Sequence, residues 1–304
     1  MPERTIAITG ATGLIGTALA QSLRAAGNAV RPVVRRPTDD PAAVRWDPAA
    51  GTIDADGLEG VDAVVHLAGA GIGDKRWSAA RKREILESRT RSTELIARTM
   101  AAMASPPTSF LCGSAVGFYG NPGDEVVTEQ SPPGDDFVAE VVQAWEAAAQ
   151  PAPDAGIRTV FLRTAPVLAR EGGILPRMAL PFRFFVGGRL GSGRQWMSWI
   201  SLDDEVGAIR FLLDRDDVAG PVNLSAPQPV TNAEMSAAIG AALHRPSAVP
   251  VPAFAPRLAL GREMADELLF VSQRVQPEVL TGAGYDFVHP DLAGALAAAL
   301  GGGR

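Results

Sequence analysis

Apolar positions in the first half of the chain switch repeatedly between short unbroken runs and helical stripes. Ile6-Ala7-Ile8 is a short apolar run that stops at Thr9-Gly10. Leu14, Ile15, Ala18, Leu19 and Leu23 then recur at helical spacing until Gly27. The same reading predicts strands over 29–34, 61–69, 108–114 and 156–163. It predicts helices over 78–103, where Ile85, Leu86, Leu95, Ile96 and Met100 form the apolar side, and over 136–149. Residues 38–60 are rich in Pro, Asp and Gly and read as loops, with at most a short strand near Val44-Arg-Trp46. Strand and helix in regular alternation imply an α/β fold with a doubly wound parallel sheet covered on both faces.

Beyond Thr164 the rhythm loosens. Short elements remain: a helix over 203–213, a strand over 221–224, and a helix over 232–244 capped by Thr231 or Asn232 with Glu234 nearby. An extended Pro250-Val-Pro252 link leads to helical stretches over 257–270 and 291–300. The expected division is a nucleotide domain over 1–165 and a smaller mixed C-terminal lobe over 166–304 that closes on it. No internal repeat is visible.

Composition narrows the function. A net charge of −6 over 304 residues argues against nucleic acid as the main partner. No apolar run is long enough to span a bilayer, so no membrane partner is expected. The single cysteine, Cys112, sits in an apolar run, reads as a buried strand residue, excludes an intrachain disulfide and suits a cytoplasmic setting. His66, His244 and His289 are far apart and lack ligand spacing, so no metal site is expected.

Gly10, Gly13 and Gly16 lie where the first strand turns into the first helix. The first permits the tight turn, the second lets backbone approach a pyrophosphate, and the third lets helix pack on strand. Helix-start amides then face the phosphates, which predicts a dinucleotide site using Gly10, Thr12, Gly13, Leu14, Ile15 and Gly16. The second strand ends in Arg35-Arg36, where an acid would accept from a ribose 2′-hydroxyl and an arginine would pair with a 2′-phosphate. NADP(H) is therefore expected over NAD(H). The third strand runs into the small residues Ala68, Gly69, Ala70 and Gly71, which let a cofactor lie against backbone, and Leu67, Ala68 and Gly69 are its expected contacts there.

Thr9-Gly-Ala-Thr-Gly-Leu-Ile-Gly16, His66-Leu-Ala-Gly69, Ser114-Ala-Val-Gly-Phe-Tyr-Gly120 and Leu162-Arg163 together resemble the extended short-chain dehydrogenase/reductases, the nucleotide-sugar epimerase/dehydratase relatives. Arg76-Trp77, Ser88-Arg89, Trp145-Glu-Ala-Ala-Ala149, Gly191-Ser-Gly-Arg-Gln195, Asn232-Ala-Glu234, Ser272-Gln-Arg-Val275 and the stretch 284–292 look like the atypical "epimerase family" branch with a C-terminal domain of unknown function. The resemblance covers essentially the whole chain. It implies a Rossmann-like fold, a small-molecule substrate and a possible homodimer.

The group's catalysis uses a Tyr-x-x-x-Lys pair, in which the lysine lowers the phenol pKa and the tyrosine exchanges a proton. Here the tyrosine place falls on Val138 and the lysine place on Val142, while the usual Ser/Thr place falls on Ala115, one residue after Ser114. The candidates for chemistry are therefore Tyr119, as a displaced acid/base, and Ser114. Arg89 takes the place where relatives carry an asparagine beside the nicotinamide half, and can present a planar fork to phosphate, ribose or an anionic substrate. Glu84 could hold Arg89 or a ribose hydroxyl. Arg194, Gln195 and Trp196 follow a Gly-Ser-Gly turn, and the resemblance places them toward the substrate; Trp196 and Trp199 are equally readable as lobe core. Two classes stay open: an NADP(H)-dependent oxidoreductase or epimerase-like enzyme, and a nucleotide-binding sensor or interaction protein that has lost catalysis.

Overall fold

A computed structural model describes residues 4–301. Among these, eight strands form one sheet: β1 (Thr5–Thr9), β2 (Ala29–Val34), β3 (Val44–Asp47), β4 (Thr52–Ile53), β5 (Ala63–His66), β6 (Ser109–Ala115), β7 (Arg158–Thr164) and β8 (Gly220–Leu224). Their order is β8-β7-β6-β5-β1-β2-β3-β4, parallel throughout except for the β3–β4 hairpin at one edge. The chain builds outward from β1 in one direction, then crosses back to β5 and builds in the other. The crevice at the carboxyl ends of β1 and β5 is thus the switch point where open α/β sheets take ligands.

Alternation within the strands feeds two cores. Ile6 and Ile8 join Leu19 and Leu23 of α1 (Leu14–Ala25), with Val65 and Leu111, on one face. Ala7, Val64 and Phe110 pack on the other against Ile96 and Met100 of α2 (Ala79–Ala102) and Trp145 of α3 (Phe137–Ala147). Both faces are covered, which is why the strands read as unbroken apolar runs and not as alternating ones. Fully burying one such Ile or Leu contributes about 1.5–3 kcal/mol.

The C-terminal part is discontinuous. Helix α4 (Leu175–Arg183) was not legible among the prolines and glycines, and its Leu175 and Phe182 join Trp199, Met235, Ile239 and Leu296 in a separate core. Helix α5 (Leu202–Leu213) returns to the main sheet, where Ile209 and Leu212 pack with Leu19, and it leads into β8. The sheet therefore does not end at residue 165: its last strand lies 55 residues later, at 220–224. Helix α6 (Asn232–Leu243) starts with a full capping box between Thr231 and Glu234. The helical stretch expected over 257–270 is two helices, Phe254–Leu260 and Arg262–Leu268, parted at Gly261 with φ +92°. The last helix is α7 (Leu292–Leu300). No helix among the described residues is long and apolar enough to cross a membrane.

Two acids at the start of α5 do different work. The cap of that helix is Ser201, whose Oγ accepts from the Asp204 amide at 3.0 Å. Asp204 itself faces inward and accepts from the backbone amides of Val288 (2.7 Å) and His289 (2.9 Å), tying the C-terminal segment to the sheet domain. Glu205 is fully buried. One of its oxygens accepts from the Thr164 hydroxyl at 2.8 Å, and Oε2 has no partner among the described residues. Burial pushes its carboxyl up to about 8 from 4.5. A carboxyl whose pKa is raised on folding stabilises the fold below its unfolded pKa and loses that contribution as pH rises toward the folded one. Unfolding free energy should thus fall between about pH 4.5 and pH 8 from this group. In Glu205→Gln the decline should be flatter than in the wild type by several kcal/mol across that window. Urea titrations of both proteins at a series of pH values check this, and parallel pH profiles would refute it.

Candidate nucleotide site at the sheet switch point

The β1–α1 turn is built on contacts that only glycine allows. Gly10 has φ +68°, and a Cβ there would lie 2.9 Å from the Leu67 carbonyl oxygen. A Cβ on Gly16 would lie 2.2 Å from the Gly10 carbonyl oxygen, so α1 rests directly on the turn. Gly13 caps α1 with no side chain, leaving the amides of the first helical turn, at Leu14, Ile15 and Gly16, without a side-chain acceptor. Thr12 and Gly13 are exposed at the tip. Thr12 faces two hollows. One of about 200 Å³ lies between α1 and β2, lined by Arg24, Pro32, Val34, Thr38 and Asp40. The other, about 430 Å³, lies under the loop that carries Ala169 and Glu171. The residues present fit a dinucleotide: an uncapped helix start, a close-packed glycine turn, and an open groove beside β2.

Arg35 and Arg36 lie exposed just past β2, and neither has an ion-pair partner among the described residues. Asp40 folds back into the adjoining hollow, although Pro37 separates it in sequence, and pairs loosely with Arg24 at 3.8 Å. The hollow beside β2 thus has Arg24 and Asp40 in its wall, with Arg35 and Arg36 at the adjoining end of the strand.

The end of β5 is held by a buried relay. Thr9 Oγ1 accepts from the amides of Leu67 (3.0 Å) and Ala68 (3.2 Å), so its proton goes to His66 Nδ1 at 2.8 Å. The ring proton then sits on Nε2 and donates to Ser92 Oγ at 3.2 Å, which in turn donates to the Ser88 carbonyl at 2.7 Å. Burial pushes His66 down to about 3, so the ring is neutral and serves as a bridge between β1, β5 and α2.

Above it, α2 grips the loop after β5. Arg89 donates to the carbonyls of Ala70 (2.9 Å) and Ile85 (3.1 Å), lies along Gly69 and stacks over the Trp145 ring at 5.0 Å. Burial, helped by the neighbouring Arg81, lowers its pKa to about 10. No carboxylate among the described residues is bonded to it. Arg81 is buried and holds the Gly71 carbonyl, while Glu84, exposed, pairs with Arg81 at 2.7 Å. Glu84 thus does not hold Arg89, contrary to one expectation: it lies on the turn of α2 that Arg81 occupies.

At the end of β6 the tyrosine and lysine places are apolar. Val138 and Val142 are buried, and a Cβ on Gly117 would lie 2.4 Å from Val138 Cγ1, so the valines fill the space beneath the strand end. One turn further on, at the same helical face, stands Glu146. It accepts from Ser114 Oγ at 2.6 Å and binds Arg163 in bidentate fashion, with both contacts at 2.9 Å. Burial works against the Arg163 charge, but the Glu146 carboxylate outweighs it and raises the pKa. Arg163 Nη1 continues to the Tyr119 hydroxyl at 3.1 Å, which donates to Asn223 Oδ1 at 2.6 Å. The Asn223 amide ends on Glu129 at 3.0 Å. Tyr119 is only 3% exposed, and burial raises its pKa. It is enclosed in this network and not presented to the crevice, because the 3-10 turn Val116–Tyr119 directs it back toward β7 and β8.

The lobe residues divide. Arg194 is exposed; the Gln195 side chain turns inward and donates to the carbonyls of Leu190 and Leu269, both at 3.3 Å; Trp196 is half-buried under Arg274 at 4.4 Å. The structure does not gather these three around a common point. Gln273 instead joins the lobe to the crevice, donating to the carbonyls of Val116 (3.2 Å) and Gly120 (2.8 Å). The Glu146–Arg163–Asn223 network was missed as a site. Its legible signal was Glu146 four and eight residues after Val142 and Val138, on the face where chemistry was sought.

A family model described as the NAD dependent epimerase/dehydratase family matches residues 6–225, and one described as a domain of unknown function (DUF1731) matches 251–299. The chain is similar to Epimerase family protein ML0860 of Mycobacterium leprae, 44% identical over 97% of this chain and 95% of that protein. It is similar to the solved structure of human epimerase family protein SDR39U1 (isoform 2) with NADPH, at 36% identity and TM-score 0.89, covering 98% of this chain and 99% of that one. A third likeness is the nucleoside-diphosphate sugar epimerase from Corynebacterium glutamicum, at 37% identity and TM-score 0.81. That match covers 98% of this chain, which spans 58% of the length of the Corynebacterium protein. With most of its length inside the first family model, and relatives of this similarity along almost all of it, the chain belongs to the NAD-dependent epimerase/dehydratase family.

Proposed function

We propose that the protein is an NADP(H)-dependent oxidoreductase or epimerase-like enzyme of the cytoplasm, acting on a small molecule without the Tyr-x-x-x-Lys pair. The observation that carries the cofactor is the uncapped start of α1, seated on Gly10 and Gly16, with Arg35 and Arg36 unpaired beside it. The NADPH in the human relative's structure supports the same choice. Bound NADP(H) supplies a hydride donor or acceptor at its nicotinamide ring. Leu67, Ala68 and Gly69 would give it a backbone wall, and Arg89, with no carboxylate partner among the described residues, would offer donors to its phosphates or ribose.

Proton exchange falls to Ser114. Its hydroxyl donates to Glu146, so its lone pairs are free to accept from a substrate hydroxyl. As the substrate proton passes to Ser114 Oγ, the serine proton passes to Glu146; reduction runs the same path backward. Tyr119 keeps Arg163 and Asn223 in place and acts through them.

A second reading, a sensor that binds NADP(H) without turnover, is favoured by one observation: Val138 and Val142 leave no ionisable group where the family exchanges its proton. Incubation with NADPH and a panel of sugar nucleotides, aldehydes and ketones separates the two. Tight NADPH binding with no turnover across the panel selects the sensor.

Isothermal titration should show NADPH bound roughly 10- to 100-fold more tightly than NADH, the worth of one charge-assisted contact. Arg35→Ala with Arg36→Ala should erase the difference; equal affinities in the wild type would refute the assignment. On any substrate the panel yields, Ser114→Ala should lower kcat about 100-fold or more with NADPH affinity unchanged. Tyr119→Phe should keep kcat within a few-fold while lowering unfolding free energy by about 1–3 kcal/mol, since Asn223 and Arg163 each lose a partner. The reverse pattern in the two variants would make Tyr119 the proton-exchanging group.

A further inference from the structure

The C-terminal lobe carries exposed apolar side chains and exposed arginines that the nucleotide site does not use. Phe184, Phe185 and Val186 follow α4 and are 70%, 56% and 54% exposed. A bridge between Gly188 and Ala248 brings Val249, 47% exposed, against this loop. Phe254 and Leu258, at 70% and 77%, lie four residues apart on the next helix and so share one face. Phe185 has φ +61°, a conformation a phenylalanine rarely adopts, and the guanidinium of Arg245 stands 4.7 Å over its ring. Strained backbone that holds an aromatic ring out in water points to an occupant for that ring.

Charge says which kind. Residues 172–202 hold four arginines and no acid, and residues 235–262 hold three arginines and no acid, in a chain whose net charge is −6. Arg257 and Arg262 share Asp266, at 2.7 and 3.6 Å, and Arg177 pairs with Asp74. Arg183, Arg189 and Arg245 are exposed and have no carboxylate partner among the described residues. A second copy related by a two-fold axis would bring these cations against one another. A surface on which apolar tips stand with Arg183, Arg189 and Arg245, cations that no carboxylate neutralises among the described residues, matches an anionic lipid headgroup layer, which asks for positive charge and inserted apolar groups and imposes no pattern of acceptors.

We propose that this face docks peripherally on an anionic membrane surface, with Phe184, Phe185 and Val186 entering the headgroup layer and Arg183, Arg189 and Arg245 contacting phosphates. The absence of a spanning segment does not bear on such a contact, which uses side chains already at the surface.

Sedimentation of the full chain with vesicles tests it. Phosphatidylcholine vesicles containing phosphatidylserine should carry the protein down, neutral phosphatidylcholine vesicles should not, and raised salt should release it. Arg245→Gln should weaken partitioning about fivefold, near 1 kcal/mol for one basic side chain at the surface. Phe184→Ser with Phe185→Asn should abolish it while the thermal melt stays in place, since asparagine tolerates the left-handed backbone. Equal sedimentation with both vesicle types, or none with either, overturns the proposal. So does a concentration-dependent dimer that the phenylalanine variants dissolve, which would seat a second copy on the patch. Tight binding of polyglutamate without vesicle binding would assign the face to an acidic polypeptide and overturn it equally.

Discussion

The contact between Gly16 of α1 and the Gly10 carbonyl sets the position of everything at the crevice. At 2.2 Å from the place a Cβ would take, it leaves no room for any side chain, so the helix axis meets the turn at a distance no other residue permits. That approach holds the start of α1, with its uncapped first-turn amides, against the turn after β1. Thr9 then fixes the end of β5 through the Leu67 and Ala68 amides, and His66 passes the restraint to Ser92 on α2. One short polar chain thus locks three elements in register around a backbone surface, and Arg89 and Arg81 of α2 hold the loop that continues it.

The opposite half of the crevice is organised by charge. Burying Glu146 and Arg163 together opposes folding through desolvation, and two parallel contacts plus the Ser114 and Tyr119 hydroxyls offset it. Losing one partner of such a pair typically costs about 3–5 kcal/mol, far more than the pair contributes net. The arrangement is therefore held by necessity once present, and it joins β6, β7, β8 and α3 at the edge where substrates of α/β sheets bind. Gln273 extends the same rigidity into the lobe by closing on the Val116 and Gly120 carbonyls.

Much of the sheet was legible because its strands are buried on both faces and its helices keep one stripe each; β1, β2, β5, β6 and β7 and helices α1, α2 and α3 fall where periodicity puts them. The glycine turn was legible for the same local reason. What escaped is long-range. Nothing in the spacing of 166–225 says that α5 and β8 return to the sheet after the lobe has begun, since Leu19 and Ile209 meet across almost the whole domain. Asp40 reads as lying beyond Pro37 but folds back on Arg24. Tyr119 reads as a displaced acid/base near a strand end, and only the fold shows that its hydroxyl donates to Asn223, about a hundred residues away. Gln195 and Trp196 read by resemblance as facing a substrate, with Trp196 equally readable as lobe core, and their partners, Leu269 and Arg274, come from the end of the chain.

The apolar filling at Val138 and Val142 and the charged network at Glu146 are two sides of one rearrangement. A lysine at Val142 would need a water or a carboxylate in a space that Gly117 and the valines close. A tyrosine at Val138 could not reach an ionised state there without that lysine, because burial alone raises a phenol pKa, as it does for Tyr119. A carboxylate one turn further along α3, at Glu146 where Arg163 can balance it, keeps an ionisable group within reach of the strand end through Ser114, while Val138 and Val142 pack as core. The two halves of the crevice meet at Trp145 of α3, over whose ring Arg89 of α2 stacks at 5.0 Å, so the helix that carries the charged network also backs the residue that grips the loop after β5.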